Sequence, residues 1–302
     1  MARHTVVLRK RTNPIAPYLF VFPCLLFLGI FIYYPLFQNI MNSFTNYAGL
    51  TGIREFIGLG NYRALSHDKI MHTAFLNCFR YAIISVICQV LFGLVLAAIL
   101  EDPDFRGVSK FFRTTFFIPD VISLTVICLL FGFIYNPRNG LLNSMLCAVG
   151  LKSLTRVWLG KADTAIYATI AVSQWQSIGY IMMLFIVDIQ KIPQELYDAA
   201  QIDGAGKIDK FIHITCPQVR EMFYVTMVIT VSGSMMVFSE PYIMTSGGGP
   251  GYSSITMSVY MYQLGFVRDS MGMASTVAVI IFLVSVMLAL LQGKLSHTGK
   301  ED

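Results

Sequence analysis

The stretch of sequence that decides the fold runs from residue 194 to residue 217 and reads QELYDAAQIDGAGKIDKFIHITCP. It is polar, glycine interrupts it at Gly204 and Gly206, and apolar segments of membrane length lie on both sides of it. A protein held in a membrane needs no such insert for anchoring. The stretch therefore predicts a docking element that a soluble partner can reach, and the alternative is an ordinary helical surface loop.

The local pattern predicts a short helical hairpin. Pro193 favours the first turn of a helix, because its missing N–H is not needed there. The spacing then places four residues on one face, which two alanines keep flat: Leu196, Ala199, Ala200 and Asp203. Gly204 and Gly206 are expected to turn the chain at positive φ, and a second helix is expected from near Lys207 toward Pro217.

The composition of the whole chain predicts an all-α integral membrane protein. Of 302 residues, 55% are hydrophobic and 13% are charged, against about 25% charged in globular domains; mean hydropathy is +0.63. Backbone groups in lipid must be bonded within their own segment, which favours helices. Segments long enough to span lie at about 15–40, 76–100, 113–136, 164–188, 221–243 and 272–293.

Several functional classes find no support in the sequence. The net charge of +5 is mild and forms no basic stripe, so we expect no nucleic-acid partner. The six cysteines are scattered, and we assign them no disulfide or metal site. No GxxxxGK[ST] pattern occurs, so this chain is not expected to bind ATP by that route.

The distribution of basic residues predicts the orientation in the membrane. Lysine and arginine are denser in residues 1–14, 101–112, 189–220 and 294–302 than in the connections on the other side. Basic loops face the cytoplasm. Both termini and the polar insert are therefore predicted to be cytoplasmic.

The spacing within the insert resembles a known motif. In permease subunits of bacterial ATP-binding-cassette importers, the EAA loop reads Glu-Ala-Ala, three residues, Gly, nine residues, Ile, one residue, Leu-Pro. This chain has Asp198-Ala199-Ala200, Gly204, Ile214 and Pro217 at matching positions, with Asp198 in place of Glu and Cys216 in place of Leu. Both departures keep the character of the side chain.

Other parts of the chain resemble the carbohydrate branch of the same family, the maltose- and glycerol-phosphate-type permeases. The matching runs include Pro17-Tyr18-Leu19, the Ile57–Tyr62 run, Phe111-Phe112-Arg113-Thr114 and Gly247-Gly248-Gly249-Pro250. The resemblance implies a type I importer permease fold with six transmembrane helices. We expect a tail over residues 1–14, a first membrane helix over 15–40 and a five-helix core over 76–293, with the coupling loop at 189–220 inside it.

The resemblance also implies partners. They are a second homologous permease, a dimer of ATPases that binds ATP and Mg, a substrate-binding protein outside the cell, the lipid bilayer and a carbohydrate substrate. In the family, the first helix of the EAA loop enters a cleft of the ATPase. The coupling residues implied here are Glu195, Asp198, Ala199, Ala200, Asp203 and Gly204.

Polar residues within the spans are the candidates for the substrate path, because such groups usually face a cavity or a neighbouring helix. An indole beside amide groups suits a sugar. The candidates are Asn77, Arg80, Gln174, Trp175, Gln176, Tyr180, Ser232, Ser234 and Glu240. The alternative is helix packing, and for Arg80 it is extension of its side chain to the lipid headgroups.

Two other functions remain open at this point. The same class of importer could carry a glycerol-phosphate diester, a sulfo-sugar or another non-sugar solute. An intramembrane enzyme is the alternative from a different class, but the spans offer no HExxH pattern and their acidic residues are isolated. We therefore expect a transport subunit without a catalytic site of its own.

Overall fold

The fold is a bundle of helices, seen in a computed structural model that describes the backbone of residues 16–297 and the side chains of residues 18–294. Within that part of the chain one isolated β-bridge, Thr45 with Phe56, is the sole strand-like pairing. The predicted tail over residues 1–14 lies outside the described residues. The α-helices, in chain order, are α1 (Ala16–Leu28), α2 (Tyr34–Ser43), α3 (Gly60–Ser66), α4 (Lys69–Ser85), α5 (Phe92–Glu101), α6 (Arg106–Val121), α7 (Leu124–Ile134), α8 (Leu141–Ala148), α9 (Ala165–Ile189), α10 (Gln194–Ile202), α11 (Lys207–Lys210), α12 (Cys216–Gln218), α13 (Arg220–Met235), α14 (Ser239–Met244), α15 (Met257–Tyr262) and α16 (Met271–His297).

Five helical stretches of the described chain are long and apolar enough to cross a membrane. They are Tyr18–Ser43, Lys69–Glu101, Ala165–Ile189, Arg220–Met244 and Met271–Lys294. Short π-helical turns continue two of them, between α1 and α2 and between α4 and α5. These stretches match five of the six predicted segments.

The sixth predicted segment, 113–136, is not one continuous helix. It divides into α6 and α7, which meet at an angle of 99° around Ile122 and Ser123. Pro119 removes a backbone donor from the last turn of α6, and Ile122 leaves the helix with extended backbone. Hydropathy averaged over the segment does not detect such a break, because the two helices together are apolar enough to be taken for one span.

The long helix α9 is central to the half of the bundle that carries residues 193–217. It packs against α5 and α6, and Phe185 and Met182 are completely buried there. At Gly179 the backbones of α9 and α6 approach so closely that a Cβ atom would lie 1.8 Å from the carbonyl oxygen of Phe116. Small residues allow this kind of contact between membrane helices.

The other end of the bundle is closed by loops that pair with each other. Asn61 donates to the carbonyl oxygens of Ser43 and Thr45 at 3.0 and 2.8 Å. The carboxylate of Asp269 accepts the N–H of Leu50 at 3.0 Å. We call this the far end, formed by residues 45–66 and 245–270, and we call the end with residues 193–217 the hairpin end.

Helix α1 stands apart from the bundle. In the most apolar window of the stretch Tyr18–Ser43, 0% of residues are buried. Phe20 and Phe31 are 86% and 68% exposed. Helix α2 packs on α16, so the chain joins the bundle only where this first stretch ends.

Candidate functional site

Residues 193–217 form the predicted hairpin. Helix α10 ends at Ile202, Gly204 turns the chain with φ of +84°, and α11 starts at Lys207. The expectation for Gly206 was wrong: its φ is −73°, and it precedes α11 as the N-terminal capping position. Pro193 is the N-terminal capping residue of α10. It therefore lies just before the first turn of the helix, where the sequence predicted it to lie within that turn.

The hairpin is held together by its own contacts. The Tyr197 hydroxyl is within 2.9 Å of the Thr215 hydroxyl, and the Ala205 N–H donates to the carbonyl oxygen of Ala200 at 2.8 Å. Burial raises the pKa of Tyr197 above its ordinary value. The Tyr197–Thr215 contact joins the two arms of the hairpin, and the Ala205–Ala200 bond closes the turn after α10.

The predicted coupling residues lie on the open side of α10. Glu195, Asp198, Ala199, Asp203 and Gly204 are exposed, and Ala200 is half-buried. Two apolar neighbours that were not predicted as site residues, Ile202 and Ile208, are 87% and 73% exposed. The signal in the sequence that could have identified them is the presence of apolar side chains within an otherwise polar insert. This surface resembles a docking site more than a solvated loop.

An ion-pair bridge ties the hairpin to the connection between α5 and α6. The ammonium of Lys207 lies 3.1 Å from the Asp102 carboxylate and 2.5 Å from the Asp104 carboxylate. The hydrogen bonds that the Lys207 ammonium donates to the Asp104 and Asp102 carboxylates raise the pKa of Lys207. Burial by itself would raise the pKa of Asp102, but the Asp104 N–H and the Lys207 ammonium lower it overall. We call these three residues the Lys207 bridge.

The fourth-span candidates do not share one surface. Gln174 faces the second span, where its amide accepts from Gln89 at 2.9 Å and donates to Ser85 at 3.1 Å. Gln176 faces the α6–α7 break, where it donates to the Ile122 carbonyl oxygen at 3.5 Å. Neighbouring residues on a helix are 100° apart, so consecutive polar residues point to different neighbours.

Two aromatic candidates on α9 keep exposed surface. Trp175 is 45% exposed, and its ring lies 5.3 Å from that of Phe131. Tyr180 is 38% exposed and lies one turn beyond Gln176 on the same face of α9. Of the fourth-span set, Trp175 and Tyr180 are exposed, whereas Gln174 and Gln176 are both half-buried.

Asn77 and Arg80 form a polar chain toward the far end. Asn77 is completely buried and donates to the carbonyl oxygens of Ser253 and Ile255 at 2.8 and 2.9 Å. Arg80 is exposed and donates to the side-chain oxygen of Asn77 at 2.7 Å. The Asn77 amide is therefore committed to the loop at 245–270 rather than open to a solute.

The candidates near the end of the fifth span are mostly covered. Ser234 is buried and donates to the Thr230 carbonyl oxygen at 2.8 Å, whereas Ser232 is half-buried. Glu240 is 5% exposed, and its helix, α14, packs against α7 and α9. Ser234 and Glu240 pack between helices in this conformation.

The fold defines a multi-pass membrane protein with an exposed helical hairpin at one end. Residues 89–297 match the family described as "Binding-protein-dependent transport system inner membrane component". The chain belongs to this family, a class of membrane permeases.

Known proteins are similar along nearly the whole chain. The probable ABC transporter permease protein YurN of Bacillus subtilis is 53% identical over 290 residues, which is 96% of this chain and 99% of YurN. The arabinooligosaccharides transport system permease protein AraP of the same organism is 30% identical, covering 95% of this chain and 90% of AraP. A bacterial alginate ABC transporter, crystallised with a periplasmic protein bound to an alginate pentasaccharide, has a chain with a TM-score of 0.81 at 22% identity, covering 93% of both chains.

Proposed function

We propose that this protein is a transmembrane permease subunit of an ATP-driven, binding-protein-dependent importer of oligosaccharides or related carbohydrates. The observation that carries the proposal is the exposed hairpin, with apolar Ile202 and Ile208 at its surface, in a chain of the binding-protein-dependent permease family. AraP serves arabinooligosaccharide transport, and the similar solved structure belongs to an alginate importer. Those names support a carbohydrate as the substrate.

In this proposal the chain hydrolyses nothing itself. Two ATPase subunits bind ATP and Mg and take the hairpin into a cleft through Glu195, Asp198, Ala199, Ala200, Asp203 and Gly204. The movement of the hairpin shifts the bundle between inward- and outward-facing states, because each partner binds one state better than the other. The hairpin end and both termini then face the cytoplasm, and the far end faces the substrate-binding protein.

A second, homologous permease completes the membrane unit. Among the described residues none covers helix α1, and Phe20 on α1 and Phe31 just after it are both exposed. A neighbouring permease offers a protein surface on which α1 can pack. The substrate path then runs between the two permeases, beside residues such as Trp175 and Tyr180.

Recovery of the complex from native membranes tests the coupling part of the proposal. Ile202→Asp changes a side chain that is 87% exposed, so the folded subunit is expected to insert normally. The amount of ATPase that co-purifies with the variant should fall about tenfold or more below that recovered with the unchanged chain, as expected for a central interface residue. Ile53→Asp, at a residue of the far end that is 54% exposed, is the matched control. Equal ATPase recovery with both variants would contradict the proposal.

Uptake in proteoliposomes tests the substrate part. Trp175→Ala and Gln176→Ala are expected to raise the KM for a transported oligosaccharide while leaving ATPase recovery unchanged. The physical reason is loss of ring stacking and of one amide partner for a hydroxyl group. Unchanged KM in both variants would remove α9 from the substrate path. Uptake of a glycerol-phosphate diester or a sulfo-sugar instead would favour the alternative cargo.

A further inference from the structure

A cleft of about 1060 Å³ opens at the hairpin end; it shares Ile208 with the docking surface, and none of the substrate-path candidates lines it. It lies between the end of α5, the start of α6 and the inner side of the hairpin. Its lining changes character from one side to the other. Apolar side chains of α5 form one wall, and charged side chains of α6 and α11 form the other.

The charged wall of the cleft has more basic residues than carboxylates. Five basic residues and three carboxylates line the cleft. Glu101 is paired with Arg113 at 2.5 Å, and Asp102 and Asp104 are both taken by Lys207. Arg106 and Lys110 are exposed and four residues apart, so they share one face of α6. Within residues 18–294, no carboxylate lies at ion-pair distance from either of them.

The apolar wall belongs to a helical stretch that is long and apolar enough to cross a membrane. Val95 and Ile99 line the cleft and are each 42% exposed, although they belong to the apolar stretch Lys69–Glu101. A helix rises about 1.5 Å per residue, so both side chains lie within about 10 Å of the end of that stretch. The cleft thus joins a hydrocarbon-level surface to a cationic surface just beyond it.

We propose that this cleft binds an anionic phospholipid, with the headgroup phosphate on Arg106 and Lys110 and an acyl chain along Val95 and Ile99. Arginine offers a planar set of N–H donors to phosphate oxygens, and lysine adds a second positive charge. Basic pockets at the ends of membrane helices bind acidic headgroups in this way. A soluble anion would leave the apolar wall in contact with water, and this favours the lipid. The proposal is independent of the transported substrate.

Native mass spectrometry of the full chain in detergent tests the site. Phosphatidylglycerol and phosphatidylcholine with the same acyl chains are the two probes. We expect the unchanged chain to retain phosphatidylglycerol preferentially. The double variant Arg106→Gln with Lys110→Gln should lower that retention roughly tenfold to thirtyfold, since each basic residue contributes about 1 kcal/mol near a lipid surface.

Two further variants control the measurement. Lys152→Gln with Arg156→Gln removes two exposed cations, also four residues apart, from a loop outside the cleft, and retention should not change. Arg106→Lys with Lys110→Arg keeps both charges and should keep the lipid. Equal retention by the Gln variant and the unchanged chain overturns the proposal. Displacement of the lipid by glycerol phosphate at the same concentration identifies a soluble-anion site and overturns it too. If the Gln variant keeps its lipid but loses a co-purifying ATPase, the two basic residues belong to a protein-docking surface. That outcome also overturns the proposal.

Discussion

At the scale of single residues, Gly204 is the position where the backbone of the hairpin depends on the absence of a side chain. Its φ of +84° is a left-handed conformation, and a Cβ atom added there would meet nothing within 4 Å. Substitution therefore causes conformational strain without a steric clash. The strain falls at the point where α10 turns into α11.

Gly204→Ala is expected to lower the free energy of unfolding by about 1 to 2 kcal/mol and to lower transport per ATP hydrolysed, because α10 shifts relative to the rest of the hairpin. The matched control is Gly150→Ala, at a glycine with φ of +81° that also has open space around it. Gly150→Ala should lose a similar amount of stability, but its coupling ratio, the transport per ATP hydrolysed, should not change. Parallel measurements of uptake and ATP hydrolysis in proteoliposomes compare them. The same coupling ratio in both variants would mean that the conformation of Gly204 has no part in coupling.

At the scale of elements, the Lys207 bridge links the hairpin to the helices that pack on α9. Lys207 lies more than a hundred residues from Asp102 in the chain, yet its ammonium contacts both acidic residues of the α5–α6 connection. A movement of the hairpin therefore reaches α5 and α6 directly, in addition to the covalent route through α9 and α13.

Lys207→Gln is expected to leave thermal unfolding nearly unchanged, because exposed ion pairs contribute little to stability, but to lower transport per ATP. Lys191→Gln is a suitable control, since within residues 18–294 Lys191 pairs only with Asp188, three residues earlier in the chain. Raising the salt concentration from roughly 0.1 M to roughly 1 M should weaken coupling in the unchanged chain and have less effect in Lys207→Gln. A variant that responds to salt as strongly as the unchanged chain would argue against a role for the bridge.

The pKa shifts predict how the bridge depends on pH. The pKa of Asp102 is lowered, so its contribution is complete above the ordinary carboxyl value of about 3.9 and is lost as pH falls through the lowered value. The pKa of Lys207 is raised, so its contribution is complete below about 10.4 and is lost as pH rises through the raised value. Coupling through the bridge should therefore be constant between about pH 6 and pH 9.

At the scale of the whole molecule, the uncovered first helix points to an assembly larger than this chain. Helix α1 and the π-helical turn that follows it place three phenylalanines outward, at Phe20, Phe27 and Phe31, each more than 60% exposed. Lipid can cover such a surface. A partner permease would cover it with better packing, which is the main force between helices inside a membrane.

The triple variant of these phenylalanines to Ala is expected to insert and fold, since α1 contributes no buried residue to the bundle. Recovery of a second permease with it should fall roughly tenfold, equivalent to about 1.4 kcal/mol. The control replaces Phe282, Met287 and Leu290, which are exposed on α16. Quantitative mass spectrometry of tagged complexes measures both. Equal recovery in the two variants would place the partner surface elsewhere on the bundle.

The sequence by itself determined the membrane class, five of the helical stretches and the hairpin at 193–217. Those features depend on local properties: the length of apolar runs, the spacing of Ala199, Ala200 and Gly204, and the turn that glycine permits at Gly204. The wrong expectation at Gly206 has the same local origin. Glycine allows positive φ without requiring it, so its presence alone does not determine the backbone conformation.

Only the tertiary structure decided which polar residues meet. It directed Gln174 to the second span and Gln176 to the α6–α7 break, committed Asn77 to the far-end loop, and joined Lys207 to Asp102 and Asp104. It also left Arg106 and Lys110 beside an apolar wall. The physical reason is that these contacts join residues far apart in the chain. The packing of whole helices sets them, and no local pattern encodes that packing.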